Sequence, residues 1–548
     1  MVDAVIVGAG AGGGIVAKEL ATAGWRVVLL ERGPWLQSSD FGHNELREGW
    51  TTAIWHEPFG PQPSELRTVR SRHDEPARVV KPRDGLYGTL PAVVGGGSVY
   101  YGAMSWRFRP ESFRLRSTFG GIPGANLDDW PLTYDDLEPY YEKAEYELGV
   151  SGDENPFGPP RRKPLPLPPV ADNKEAEILW PAARRLGWKP FHTPLAILSQ
   201  PYRGRAACVR CAYCNGFGCE VGAKSSTLVS VIPQALQTGH CTLIANAFVR
   251  EITVDSRGGP DGVIYQSGGP KAPWKKLAAR VIVIACSATE TPRLLLNSKS
   301  KFFPQGLGNE RDQVGRNIEN DGSTFVYGLF DRIVTDQQGP GVCFGVDDFQ
   351  FRSEADGVRL ASGILANYHT RPPLGFIRRV SLPENVPPYG LGLKRFYQRN
   401  FLRSIWLYAT CHTYPRAENR VDVDPEVHDA RGVPVSRITY HQHPRNADEE
   451  QFIADRCEQL LREAGAHTVV KPEIQRESEF GISTHQQGSC RIGKDPASSV
   501  GDRTGRIHNL PNVYLADGSL LPNPGGANPA LTIQALAYWV SNHILRSR

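Results

Sequence analysis

Residues 2–33 read VDAVIVGAGAGGGIVAKELATAGWRVVLLERG. Ala4 to Val7 is a continuous apolar run, as a strand buried on both faces requires. Gly8, Gly10 and Gly13 follow in G-x-G-x-x-G spacing, and an amphipathic helix carrying Ile15, Val16, Leu20 and Ala21 runs on to about Gly24. Val27 to Leu30 is a second strand, with Glu31 at its tip. Each glycine has its own reason. Gly8 permits a tight turn, Gly10 lets backbone N–H groups reach a pyrophosphate at the helix N-terminus, and Gly13 lets the helix lie close to the strand. Glu31, about 20 residues on, is placed to accept hydrogen bonds from a ribose diol. Strand, turn, helix, strand and acid in this order specify an α/β, Rossmann-like fold around a dinucleotide. The alternative is a glycine-rich turn in some other α/β fold.

The bulk composition fits a large globular enzyme and excludes other classes. At 548 residues the chain can bury an extensive core. Its 62 basic and 58 acidic residues leave a net charge of +4, too small to argue for nucleic acid or an anionic membrane as partner. No apolar run approaches the ~18 residues of a transmembrane helix. Because the chain goes straight into Val5-Ile6-Val7-Gly8, the expected location is the cytoplasm, with export beside a signal-bearing partner subunit as the alternative.

Further segments favour bound FAD over a passing NAD. Ala279 to Ala285 is another buried strand, running through Cys286 into a helix with Pro292 in its first turn. Val513-Tyr514-Leu515-Ala516 leads to Asp517 and Gly518, which sets a carboxylate where ribityl or ribose hydroxyls would lie. Two more stretches complete the pattern: Val93-Val94-Gly95-Gly96-Gly97-Ser98, followed by Ala103 to Arg107, and Ser483 to Gly493 with His485 near its start. Gly525-Gly526-Ala527-Asn528-Pro529 then opens the last helix.

The N-terminal fingerprint, Val93 to Arg107, Ser483 to Gly493 and the stretch from Gly525, in this order over nearly the whole chain, resemble the glucose-methanol-choline (GMC) oxidoreductases. The resemblance implies FAD lying along Gly96, Gly97 and Ser98, with Asp517, Gly518, Asn528 and Pro529 beside it. It also implies a catalytic pair, His485 and Asn528. The chemistry agrees: oxidising an alcohol needs a base for the hydroxyl proton while hydride leaves the same carbon, and imidazole suits that work near neutrality. An Asn amide can donate to the developing alkoxide without competing for the proton. Without these roles His485 would be a buried, hydrogen-bonded histidine and Asn528 the N-cap of a helix beginning at Pro529. Some sugar-oxidising relatives attach FAD through a histidine of the glycine-rich loop. Val99-Tyr100-Tyr101 offers none, so non-covalent FAD is expected.

Cys208, Cys211, Cys214 and Cys219 place four of the ten cysteines in a C-x₂-C-x₂-C-x₄-C run. Such spacing suits an iron–sulfur cluster, four-thiolate zinc, or a metal-free loop bracing the flavin domain; disulfides do not suit a reducing compartment. Membrane-linked sugar and gluconate dehydrogenases of the GMC family carry a three-iron cluster at this point of the chain. Their spacing differs, and a Cys-Pro is usual where this chain has Cys219-Glu220. With iron, the thiols would carry electrons to a cytochrome partner; without it, dioxygen or a quinone would accept them.

The domain reading assigns 1–321 to FAD binding, with lid or linker insertions at about 36–90 and 116–205. Residues 322–480 form a substrate lobe, an antiparallel sheet backed by helices, with strands expected at 359–364 and 403–410. Residues 481–548 return to the FAD domain. Proline-rich 156–169 is an extended connector, Pro372 to Asn400 is a lid, partner surface or solvated loop, and His441 and His443 share a strand face. The expected function is FAD-dependent oxidation of a sugar, polyol or glycoside alcohol. The alternatives are a sterol or other hydrophobic alcohol as substrate, a non-catalytic flavin electron-transfer subunit, and an NAD(P)-dependent oxidoreductase.

Overall fold

A computed structural model describes residues 1–47, 65–84, 87, 89–354, 357–359, 363, 365–367, 373–476 and 483–547. The N-terminal run forms the strand Val2–Val7, which pairs in parallel with Val27–Leu30 on one side and Trp274–Ile284 on the other. Cys241–Ile244 extends the sheet beyond Val27–Leu30, and Val513–Leu515 joins Trp274–Ile284, both again in parallel. An antiparallel ribbon, Ala247–Val254 and Pro260–Ser267, completes seven strands. Residues Ala4 to Ile6 are fully buried, which is why the run carries no polar alternation. The helix Gly13–Thr22 turns Ile15, Val16, Leu20 and Ala21 inward and packs against the C-terminal helix Ala530–Arg546. Val513–Leu515 and that last helix bring the end of the chain back to the first sheet, so the fingerprint and the C-terminal motifs share one wall.

The expected antiparallel sheet is present. Its six strands run in the order Thr468–Val470, Gly322–Leu329, Ser404–Cys411, Leu365–Asn367, Phe344–Val346, Phe191–His192. The helix Pro444–Glu463 covers one face with Ile453, Cys457, Leu460 and Leu461. Ser404–Cys411 is buried at every position, as a central strand covered on both sides must be. Two features depart from a self-contained lobe. Phe191–His192, from the preceding insertion, pairs with the edge strand Phe344–Val346 and satisfies backbone groups that would otherwise stay open. The hairpin Arg420–His428 and Pro434–Thr439 joins Arg67–Arg70 and Arg78–Val80 in a separate four-stranded sheet.

The strand expected at 359–364 falls largely on residues 360–362 and 364, outside the described residues; Gly357–Arg359 and Leu365–Asn367 flank them. The segment 373–400 holds two helices, Pro373–Arg379 and Gly390–Asn400, whose Phe376 and Phe396 pack with Tyr327 and Trp406. His441 and His443 do not share a strand face. Pro444 starts a helix, and His443 caps it by accepting from the Arg445 N–H at 3.2 Å. Among the described residues no helix is long and apolar enough to cross a membrane.

Candidate active site

A cavity of about 530 Å³ runs from Gly8, Gly10 and Glu31 past Gly96, Gly97 and Ser98 to His485, Asn528 and Pro529. The fingerprint glycines separate by cause. Gly8 has φ +99°, and a Cβ there would lie 2.2 Å from the Ala285 carbonyl oxygen. A Cβ at Gly13 would lie 1.9 Å from the Gly8 carbonyl oxygen. Gly10 differs: the nearest protein atom to a Cβ there is the Gly96 Cα, at 4.0 Å. The fold demands the first two glycines and leaves open space beside the third, as a group bound against the backbone would require.

Glu31 is buried at this end. Its Oε2 accepts from the Ala9 N–H at 2.9 Å and its Oε1 from the Gly33 N–H at 3.0 Å. Burial still raises its carboxyl above the ordinary range, against those two donors. Ser98 donates to the Gly95 carbonyl at 2.6 Å and so holds the loop across the cavity. Asp517 and Gly518 line the wall as expected, but both Asp517 oxygens are engaged internally. Oδ2 accepts from the Ser287 N–H and the Thr291 hydroxyl, and Oδ1 from the Ser519 N–H. Its carboxylate therefore ties the turn after Trp274–Ile284 to the segment that follows Val513–Leu515.

At the other end, Asn528 Nδ2 lies 3.0 Å from His485 Nε2. Asn528 does not cap the last helix. Pro529 occupies the N-cap position of Ala530–Arg546, and no side chain caps that end. The helix begins one residue later than expected, and the amide of Asn528 is left to face the imidazole. An amide N–H can only donate, so Nε2 is the acceptor and the ring proton sits on Nδ1. Burial lowers the His485 pKa to about 4, so the ring is neutral at neutral pH. Its Nδ1 faces Asp321 Oδ2 at 3.6 Å.

Ser323, Phe325 and Tyr408 form the wall beyond the imidazole. Ser323 and Phe325 sit two apart on Gly322–Leu329 and so share a face; Tyr408 is the register partner of Phe325, with ring centroids 5.0 Å apart. None of these, nor Asp321, was singled out in the sequence. Period-2 alternation marks a strand's two faces without saying which one meets the cavity.

The four clustered thiols surround a small neighbouring void, with Lys224 beside them. Cys208 Sγ accepts from the Arg210 N–H at 3.4 Å and Cys219 Sγ from the Lys224 N–H at 3.5 Å. The Lys224 ammonium is buried and donates to the carbonyls of Phe217 (2.7 Å), Tyr101 (3.1 Å) and Cys214. Burial pulls its pKa down to about 8. Among the described residues no group of three or more Cys, His, Asp or Glu side chains is arranged to hold a metal ion. The iron–sulfur and zinc readings therefore gain no support from the geometry. The run does brace the cavity wall: the Gly216 N–H donates to the Tyr100 carbonyl at 2.8 Å, and Asn215 and Gly216 line the cavity.

The N- and C-terminal GMC oxidoreductase family models match residues 78–321 and 415–537. Paromamine 6'-oxidase of Streptomyces fradiae is 32% identical over 100% of this chain and 90% of its own. The 6'''-hydroxyparomomycin C oxidase of Streptomyces lividus is 31% identical over 99% of this chain and 91% of its own. The crystal structure of a pyridoxine 4-oxidase from Mesorbium loti covers 100% of this chain and 99% of its own with TM-score 0.64 at 15% identity, a likeness of fold.

Proposed function

The chain belongs to the GMC oxidoreductase family, and from that premise we propose that it oxidises a CH–OH group of a sugar or glycoside, with His485 as base and Asn528 as orienting donor. Membership makes it an FAD-dependent oxidoreductase acting on alcohols. The lining fits that cofactor: the open space at Gly10 suits a pyrophosphate, Glu31 suits the adenosine ribose, and Gly96, Gly97 and Ser98 offer a narrow wall. When bound, FAD supplies the acceptor for the hydride leaving the carbinol carbon. We infer non-covalent binding, since residues 99–101 hold no histidine.

The observation that carries this reading is the 3.0 Å contact between Asn528 Nδ2 and His485 Nε2 at the cavity wall. A substrate hydroxyl entering that contact takes the place of the Asn528 N–H at the Nε2 lone pair and finds the released amide as a donor to its oxygen. The ring nitrogen takes the proton, and the amide steadies the oxygen as negative charge develops on it. The low basicity of the buried imidazole keeps it unprotonated and ready. A sugar class is supported by Phe325 and Tyr408, whose rings offer apolar faces to a pyranose, and by the two aminoglycoside oxidases. Those two are named oxidases, and among the described residues the thiols are not grouped to hold a metal ion. Dioxygen is accordingly the proposed electron acceptor.

The test is His485→Ala in the FAD-loaded protein, with substrate-driven flavin bleaching and peroxide followed over a panel of sugars, glycosides and aminoglycosides. Bleaching should slow by roughly 10²- to 10⁴-fold while the flavin bands remain. Bleaching at the wild-type rate would remove His485 as base. Oxidation of a sterol but no sugar would move the substrate to a hydrophobic alcohol.

A further inference from the structure

Behind His485 lies a carboxyl group that the mechanism has not yet used. Asp321 ends the segment leading into Gly322–Leu329, and its side chain is wholly buried. Neither oxygen has a hydrogen-bond partner within ordinary distance. A buried polar group without a partner is costly and calls for a reason. The groups facing it narrow that reason. The Gln487 side chain and the Gly526 N–H approach as donors, Glu319 and the Cys411 thiol are the other titratable neighbours, and among the described residues no cation faces it. Glu450 and Glu449, beyond Cys411, are further acids. The remaining neighbour is the imidazole, with Nδ1 3.6 Å from Oδ2.

We propose that Asp321 is a positioning residue for the reaction: it receives the Nδ1–H of His485, keeps Nε2 unprotonated for the substrate, and balances the charge once Nε2 has taken the hydroxyl proton. The inference rests on His485 being the base. Asn528 reinforces it from the other side, because an amide N–H at Nε2 and an acceptor at Nδ1 select the same tautomer. The step balances. The carbinol C–H bond breaks and its electron pair leaves as hydride to FAD. The O–H proton passes to Nε2, and the electrons of the O–H bond become the second bond of the carbonyl. The substrate is oxidised, FAD is reduced, and the extra proton stays on an imidazolium whose Nδ1–H points at a carboxylate.

Burial and Glu319 push the Asp321 carboxyl well above the ordinary range. Its ionisation governs how well the imidazolium is received. In the wild type the rate of flavin reduction should climb with pH through this ionisation.

Two variants and one spectroscopic readout test the proposal in the FAD-loaded enzyme. Asp321→Asn keeps an acceptor oxygen and loses the charge. Flavin reduction should fall by about tenfold, KM should hold, and the limb that belongs to Asp321 should vanish, leaving only the weaker influence of Glu319 and Glu450, which burial raises to about 8 and about 7. Asp321→Ala loses both, and the fall should reach roughly 10²-fold. Ring ¹⁵N NMR of histidine-labelled enzyme, with His485 assigned by its disappearance in His485→Gln, should show Nδ1–H in the wild type and in Asp321→Asn. Mixed tautomers are expected in Asp321→Ala. Should Asp321→Ala fail to fold, Asp321→Asn decides. Wild-type rate and pH profile in Asp321→Asn, or Nε2–H in the wild type, would overturn the proposal. An inactive His485→Ala beside a fully active Asp321→Asn would discard Asp321 and keep the base; an active His485→Ala would discard the base itself.

Discussion

Gly10→Ala separates what the fold needs from what the cofactor needs. The backbone at Gly10 lies outside the left-handed region, and an added Cβ would meet no protein atom nearer than 4.0 Å. The apo protein should accept the change within about 1 kcal/mol, with a small gain if the unfolded chain is restricted. The methyl group would occupy the space in which a pyrophosphate approaches the backbone N–H groups at the start of Gly13–Thr22. Losing one or two hydrogen bonds to a charged group costs about 2–4 kcal/mol, which is roughly a 30- to 700-fold rise in the FAD dissociation constant. Gly13→Ala is the contrast. Its Cβ would lie 1.9 Å from the Gly8 carbonyl oxygen and 3.2 Å from the Ala285 Cβ, so the fold itself must give way, by about 3 kcal/mol or more. The assay is FAD titration of apo protein by quenching of flavin fluorescence, beside thermal unfolding of the same samples. A Gly10→Ala protein that binds FAD normally, or that unfolds as readily as Gly13→Ala, would refute the argument that the space at Gly10 is kept for the cofactor.

Acid stability should run through Glu290. Burial alone would raise its pKa, but Arg67 (Nε at 2.8 Å), Arg293 and Arg32 overcome that and hold it at about 2, against an ordinary 4.5. A folded-state pKa below the unfolded one means stability that is fully present above about pH 4.5 and is lost as pH falls through about 2. Glu290→Gln should cost about 3 kcal/mol at neutral pH, because Arg67 is left buried without its carboxylate, and should flatten the acid limb of the unfolding midpoint. An unchanged midpoint at pH 7, or an unchanged acid slope, would contradict this. The thiol run makes a separate prediction. Freshly purified protein should show flavin bands and carry less than one equivalent of iron or zinc. A broad brown shoulder with three or four iron atoms would restore the cluster and make the enzyme an electron-exporting dehydrogenase.

How far the site could be read from the chain depended on how local its causes are. Gly8 and Gly13 were legible because each answers to a backbone atom of the same short unit or of the strand beside it. His485 and Asn528 lie 43 positions apart and meet only because Val513–Leu515 and the last helix return to the first sheet; motif resemblance bridged that distance where spacing could not. Asp321, Phe325 and Tyr408 carried no such signal. Their strands read as ordinary alternating sheet, and the face that meets the cavity is settled by what packs on the other side, here the helix Pro444–Glu463. The cysteines show the limit of spacing. Sequence spacing measures how far a loop can reach, and a C-x₂-C-x₂-C run can close on a metal, but reach does not fix where the thiols point. Lys224, outside the run, places its ammonium against the carbonyls of Cys214 and Phe217 from within it and of Tyr101 from the flavin-side loop. The carbonyls of the loop, rather than its sulfurs, are what converge there on a positive charge. A loop rich in thiols can thus be held together by its backbone, and the residue that does so is one that a search for ligands passes over.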